Sequence, residues 1–149
     1  MLRHRPRSSR TGAESLVQVV RLTEGRAVAG CQVHIHHGEK LTGLAVTPDG
    51  SRLLTTSLSG DISQWDPLTG VLLTTVTDPD GPVNGLAVSP DSKWIATAGS
   101  LLRVWDAATG RTIASVRAET PLTSCAWLPD GHGLVAVGER GLHSHEFRP

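Results

Sequence analysis

Trp65-Asp66-Pro67-Leu68-Thr69-Gly70 returns forty residues further along the chain as Trp105-Asp106-Ala107-Ala108-Thr109-Gly110. A fixed period of this length is typical of repeat architectures, and it determines the fold class more strongly than any local pattern does.

A second shared element lies upstream of each copy and also opens a third repeat. It reads GLAVTPDG at residues 43–50, GLAVSPDS at residues 85–92 and SCAWLPDG at residues 124–131. Proline, aspartate and glycine in this order favour a tight turn, because proline presets φ, aspartate bonds nearby backbone and glycine accepts a positive φ. Each repeat is therefore predicted to be a series of short strands joined by turns.

Apolar and β-branched runs between the turns predict the strands of each repeat. The first repeat gives four strands, the second gives four and the third gives three: 41–46, 52–57, 62–65 and 71–76; 83–88, 93–98, 101–105 and 111–116; 122–127, 133–137 and 142–147. Residues 16–21 and 26–33 have the pattern of the last two strands of a preceding repeat. Residues 1–15, which include four arginines, are predicted to be a disordered basic tail.

These Trp-Asp dipeptides, Pro-Asp-Gly turns and Asp-x-x-Thr-Gly turns resemble the WD-repeat family of β-propellers across residues 16–147. The resemblance implies an all-β fold of four-stranded antiparallel blades, with the first strand of each blade lining a central channel. We expect a partial blade at 16–33, blades at 41–76 and 83–116, and an incomplete blade at 122–147, within a partial propeller at 16–149.

The chain departs from the family where the family is most stereotyped. His37 stands at the family's histidine position, but His36 replaces the glycine before it, and Pro79 and Ala118 occupy the histidine position in the next repeats. His145-Glu146 stands where the third Trp-Asp is expected. A related propeller type with Ser-Pro-Asp-Gly turns and no Trp-Asp stays open.

About three blades do not close a ring, because propellers typically have four to eight. Three explanations follow: a fragment of a longer propeller protein, one part of a propeller split over several chains, or self-association. Two copies that share residues 26–33 as an outer strand would give six blades, but residues 16–21 would then have no place. The fragment is the preferred explanation.

Composition argues against several classes of function. Fourteen basic and fourteen acidic residues balance, so nothing in the charge favours nucleic acid or an anionic membrane. No apolar run has the length of a membrane span or of a secretory signal. Cys31 and Cys125 lie too far apart in the expected fold for a disulfide and have no metal or redox spacing, which predicts reduced thiols and a cytoplasmic location.

No pattern indicates a catalytic, cofactor or metal site. His34 and His36, and likewise His143 and His145, would share a strand face, which suits a metal, but solvated or structural histidines are the preferred interpretation. The resemblance instead assigns structural roles to His37 and to the two Trp-Asp and Thr-Gly elements: Trp65, Asp66, Gly70, Trp105, Asp106 and Gly110.

Partners of this family often dock on the loops before the inner strands and on the middle hairpins, which together form a rim. The candidate rim residues are His36, Glu39, Lys40, Asp61, Asp80, Arg117, Glu119 and Arg140. Their mixed charge suits a protein partner, although exposed loops are polar in any case.

The expected function is that of a non-enzymatic scaffold for protein partners, and the preferred explanation of the open ring makes the chain a fragment of a larger regulatory protein. The alternative is a propeller hydrolase or oxidoreductase with its site at the channel mouth. That alternative is weakened by the inner strands, which offer only Thr42, Asn84, Thr123, Ser124 and Cys125.

Overall fold

A computed structural model describes residues 15–24, 26–37 and 39–148, with side chains for 16–18, 24 and 39–148. All regular structure in these residues is β, which confirms the predicted fold class. The thirteen strands are β1 Ser15–Thr23, β2 Arg26–His37, β3 Leu41–Val46, β4 Leu53–Ser57, β5 Asp61–Trp65, β6 Leu72–Thr77, β7 Gly85–Val88, β8 Trp94–Ala98, β9 Leu101–Asp106, β10 Thr112–Arg117, β11 Leu122–Trp127, β12 Gly133–Gly138 and β13 Gly141–Glu146.

The strands form four separate antiparallel sheets, and none of them closes on itself. The first blade has the order β3-β4-β5-β6, the second has β7-β8-β9-β10, and the third has β11-β12-β13. β1 and β2 form a two-stranded hairpin. The structure thus has the blade arrangement that the repeat predicts, with three strands in the third blade.

Side chains fix the turns that separate the strands. In the first blade, the Thr47 hydroxyl donates to the Asp49 carboxylate at 2.6 Å, and Gly50 adopts φ of 75°. In the second blade, Ser89 donates to Asp91 at 2.6 Å, and Ser92 adopts φ of 64° where glycine is missing. The same turn therefore forms in both repeats, at some backbone strain in the second.

Each blade has two faces that pack against different neighbours. We call the face toward the following blade the forward face. Its residues are Leu54, Thr56, Ile62 and Gln64 in the first blade, Ala96, Ala98, Leu102 and Val104 in the second, and Val135, Val137, Leu142 and Ser144 in the third. We call the opposite face the backward face. Its residues include Leu53, Thr55, Ser63 and Trp65 in the first blade, Ile95, Thr97, Arg103 and Trp105 in the second, and Leu134, Ala136, His143 and His145 in the third.

The core lies at the junctions between blades. At the first junction, Leu54 and Ile62 of the first blade pack with Ile95 and Trp105 of the second. At the second junction, four residues of the second blade's forward face pack with Leu122, Leu134, Ala136 and Phe147 of the third blade. Val17 of β1 packs against Leu53 and Trp65, so the hairpin contacts the backward face of the first blade.

Neighbouring inner strands approach one another closely at the second junction. A Cβ added to Gly85 of β7 would lie 2.7 Å from the Ser124 Cα of β11. Any larger side chain at position 85 would therefore push the two inner strands apart.

Strand β2 extends further than the sequence indicates. The predicted strand ended at Val33, whereas β2 continues to His37 and pairs with β1 as far as Ser15. Residues 1–14 of the predicted tail lie outside the described residues. No helix in the described part of the chain is long and apolar enough to cross a membrane.

Candidate functional site: the blade junctions and the loop rim

Each tryptophan of the repeat is held by a threonine of the neighbouring strand. The Trp65 Nε1 donates to Thr55 Oγ1 at 2.9 Å, and the Trp105 Nε1 donates to Thr97 Oγ1 at the same distance. All four side chains are buried. Trp105 thus lies in the core of the first junction and Trp65 in the contact between the first blade and the hairpin, each with its polar atom satisfied.

The aspartates that follow the tryptophans form turns. The Asp66 carboxylate accepts from the Leu68 amide at 2.8 Å, and the Asp106 carboxylate accepts from the Ala108 amide at 2.8 Å. Gly70 and Gly110 close these turns with φ of 76° and 73°. Both carboxylates therefore stabilise the backbone conformation of their turns.

Polar side chains on the inner strands connect one blade to the next. Thr42 donates to the Val83 carbonyl, and Asn84 donates to the Leu122 carbonyl at 3.0 Å. Thr123, at the same place in the third blade, donates to Val137 of its own blade at 3.1 Å. The inner-strand groups that the enzyme alternative requires are thus used largely for assembly.

The rim begins at the middle hairpin of the first blade. Ser59 donates to the Glu39 carboxylate at 3.1 Å, and the Thr77 hydroxyl donates to Asp61 at 2.6 Å. The Lys40 carbonyl accepts from the Leu58 amide at 3.1 Å. Glu39, Lys40 and Asp61 are therefore brought together at one end of the first blade.

The rim continues through an ion pair of the buried Arg103 that no sequence pattern indicated. Arg103 is 3.6 Å from Asp78 and directly contacts Asp80, and both acids lie in the loop between the first two blades. Its guanidinium lies 5.4 Å from the centre of the Trp105 ring. Asp80, a predicted rim residue, is exposed and also partly neutralises the buried cation of Arg103. The signal was the arginine itself, on an inward-facing position of an apolar strand.

The last part of the rim is more exposed. Arg140 of the third blade donates to Glu119 at 3.2 Å, and both side chains are mostly solvent-exposed. Arg117 lies beside them, at the mouth of a cleft of about 370 Å³ between the second and third blades. The cleft is lined by Leu102, Val116, Arg117, Ala118, Glu119, Leu122, Arg140, His143 and His145.

The thiol at the second junction is poorly suited to nucleophilic chemistry. Cys125 is a free cysteine whose Sγ lies 3.7 Å from the Ala96 carbonyl. Burial raises the pKa of this thiol to about 12, so the thiolate is scarce at neutral pH.

Metal ligation finds no support in the described part of the chain, where no three His, Cys, Asp or Glu residues lie close enough to share an ion. The side chains of Cys31, His34, His36 and His37 lie outside the described residues. The structural role of His37, the rim role of His36 and the histidine-pair alternative therefore stay predictions.

Comparison with known proteins begins with the repeat itself. The family model "WD domain, G-beta repeat" matches residues 30–66 and 70–106. Each matched segment ends on a Trp-Asp dipeptide. The chain is also similar to WD repeat-containing protein 90 of Mus musculus, with 29% identity over 126 residues that cover 76% of this chain and 7% of the relative.

Solved structures share the fold. The WD40 repeats of RRP9 align with a TM-score of 0.67 and 22% identity over 71% of this chain and 35% of that one. U3-55K gives the same TM-score and identity, with 36% of its chain covered. Hydrazine synthase of Kuenenia stuttgartiensis aligns with a TM-score of 0.61 and 19% identity, over 65% of this chain and 28% of that one. The chain thus spans about a third of these structures and a small part of the curated relative.

Proposed function

The chain is a WD-repeat protein, and we propose that it is a non-enzymatic scaffold for protein partners that forms part of a larger propeller. We place this scaffold in the cytoplasm, on the basis of its cysteine usage. WD-repeat proteins generally act through protein interaction, which supports the first half of the proposal. The second half depends on one observation, the exposure of the third blade's forward face.

The forward-face positions differ sharply in burial between blades. Ile62 and Leu102 are 1% and 2% exposed in the first two blades, whereas Leu142, at the same position in the third, is 72% exposed. Val137 is 38% exposed, while its counterpart Ala98 is fully buried. In each of the first two blades, the following blade covers this aliphatic surface. The exposed surface of the third blade is therefore expected to pack against a further blade.

The rim supports the choice of a protein partner. Its loops are tied to one another through backbone and side-chain hydrogen bonds, as in the contact of the Asp78 amide with the Gly60 carbonyl at 2.8 Å. A preorganised surface of mixed charge loses little entropy when a partner docks. The enzyme alternative needs reactive groups on the inner strands, and there Thr42 and Asn84 bond across junctions while the thiol of Cys125 is protonated.

The forward face is tested by a pair of leucines with nearly equal exposure. Leu142→Ser removes an apolar group from that face, whereas Leu68→Ser removes one from an exposed turn, where Leu68 is 67% exposed. We expect the purified chain to self-associate through the uncovered face, and only Leu142→Ser to reduce that association in light scattering. Equal masses for all three proteins would contradict the proposed further blade.

The scaffold role is tested by site-specific photo-crosslinking in cell extract. A crosslinker replaces Glu119 on the rim or, as the control, Ala108 in the turn between β9 and β10. We expect a discrete set of protein adducts from position 119 that is absent from position 108. Identical adduct patterns at the two positions, or no adducts from any rim position, would contradict rim-directed protein binding.

A further inference from the structure

The two blade junctions contain the same positions but are filled differently. At the first junction, Arg103 and Trp105 project from the backward face of the second blade and are both buried. At the second junction, His143 and His145 occupy the corresponding positions of the third blade and are only half-buried. A smaller ring thus replaces the indole at the place where the structure has the cleft of about 370 Å³.

The cleft has an apolar base. Leu102 and Leu122 lie at its base and are almost completely buried, and Val116 and Ala118 form part of its wall. Its volume falls in the range of small-molecule and side-chain pockets. An aromatic side chain fits such a site, because it is the group that fills the corresponding place at the first junction.

The mouth of the cleft favours a negative charge. Arg117 and Arg140 carry two positive charges there against the single negative charge of Glu119, and the two imidazoles add hydrogen-bonding groups. Guanidinium groups bind carboxylates in charge-assisted pairs. The first junction already contains a charge-assisted pair of this kind within the chain, because the carboxylates of Asp78 and Asp80 lie against the guanidinium of Arg103.

We propose that the cleft between the second and third blades binds a peptide segment of a protein partner in which an aromatic residue precedes acidic residues. The aromatic ring enters the cleft between Leu102 and His145, and a carboxylate pairs with Arg140 or Arg117. This inference rests on the proposed scaffold function, because it specifies the chemistry of one partner segment.

The test uses the 149-residue chain and the peptide acetyl-Ala-Trp-Glu-Glu-Ala-amide in isothermal titration. We expect measurable binding that falls at least tenfold when lysines replace the glutamates or alanine replaces the tryptophan. Oligouridylate is the comparison probe. If it binds, and if His145→Trp or Arg140→Ala weakens its binding, the site recognises nucleic acid and the peptide proposal is wrong.

His145→Trp is the decisive variant, because it places in the cleft the same kind of side chain that fills the first junction. We expect it to abolish peptide binding while the melting temperature stays the same or rises. Unchanged peptide affinity in a folded His145→Trp protein would overturn the proposal.

A second pair of variants decides the matter if His145→Trp does not fold. Arg140→Ala removes a charge at the mouth, and Arg111→Ala removes one from a turn away from the cleft. We expect only Arg140→Ala to weaken binding, by about tenfold, which corresponds to about 1.4 kcal/mol. Equal affinities for the two variants would overturn the proposal.

Crosslinking from Lys40, at the other end of the rim, separates this inference from the proposed function. Adducts at that position, together with no peptide binding, would defeat the peptide inference alone. Absence of adducts from every rim position would defeat the scaffold as well.

Discussion

The first and second blade junctions share a backbone plan and differ in the side chains that close them. The first junction is closed by an indole, a guanidinium and two carboxylates, all meeting between the first two blades. The second is closed at one end only, where Phe147 lies 5.4 Å from the ring centres of both Trp94 and Trp127. The far end of the second junction is the cleft.

This difference shows that the repeat determines the sheets, while a few side-chain positions determine how tightly each junction is packed. Backbone turns recur in every repeat because their chemistry is local. The backward-face positions of the third strand change from Arg103 and Trp105 in the second blade to His143 and His145 in the third, where the apolar cluster around Phe147 supports the junction instead.

The largest effect is expected from truncating the indole of the first junction. Trp105→Ala removes a buried ring and its hydrogen bond to Thr97, at a cost of about 3–5 kcal/mol in unfolding free energy. His145→Ala, at the same place in the second junction, should cost less than about 1 kcal/mol. Urea denaturation measures both. A Trp105→Ala protein with unchanged melting but lost partner binding would show that the ring is a recognition group.

The ion pair gives the next largest effect. Arg103→Ala leaves the mostly buried carboxylate of Asp78 without its cation, and we expect a loss of about 2–3 kcal/mol, because a desolvated charge then has no partner. The matched change His143→Ala tests the second junction. Similar losses from the two variants would mean that the junctions are closed by equivalent interactions, contrary to the comparison.

Removing the threonine acceptor should have a smaller effect. Thr97→Val keeps the shape of the side chain but leaves the Trp105 Nε1 without its partner, for an expected cost of about 1–2 kcal/mol. Thr55→Val repeats the experiment beneath Trp65 in the first blade. Thermal denaturation of the two variants compares the blades directly, and a stabilised Thr97→Val protein would contradict the assigned hydrogen bond.

The smallest effect concerns pH. Hydrogen bonds from Thr47 and Ser51 lower the pKa of Asp49 to about 2, and the hydroxyl of Ser89 lowers the pKa of Asp91. Because the folded pKa lies below the unfolded value, this contribution to stability is complete above about pH 4 and is lost as the pH falls toward 2. Asp49→Asn should flatten the acid limb of the stability curve. An unchanged curve would mean that the pKa of Asp49 is the same in the folded and unfolded states.

The fold was predictable because the residues that form the turns recur in the sequence at a fixed spacing. Trp65, Asp66 and Gly70 recur with their spacing intact, and local turn chemistry forces the strand order within a blade. The end of β2 was not predicted, because the alternation of Val33, His34, Ile35 and His36 is too short to distinguish a strand from a loop, and these residues become strand through pairing with β1.

The candidate site was predictable only in part. The rim loops could be placed by resemblance, and Glu119 and Arg140 do meet there. The pairing of Arg103 with Asp78 and Asp80 joins residues of different blades, and no local pattern encodes such a contact. The cleft was also invisible in the sequence, since it arises from what one repeat lacks relative to another.

The half-buried thiol of Cys125 offers a chemical probe of the second junction. Its sulfur lies 3.7 Å from the Ala96 carbonyl of the second blade, so parting of the blades would increase its access to an alkylating reagent. In a chain with Cys31 replaced by serine, a change in the rate of modification would report a change in junction opening, in the way that amide exchange reports local unfolding. A ligand bound in the neighbouring cleft would lower that rate.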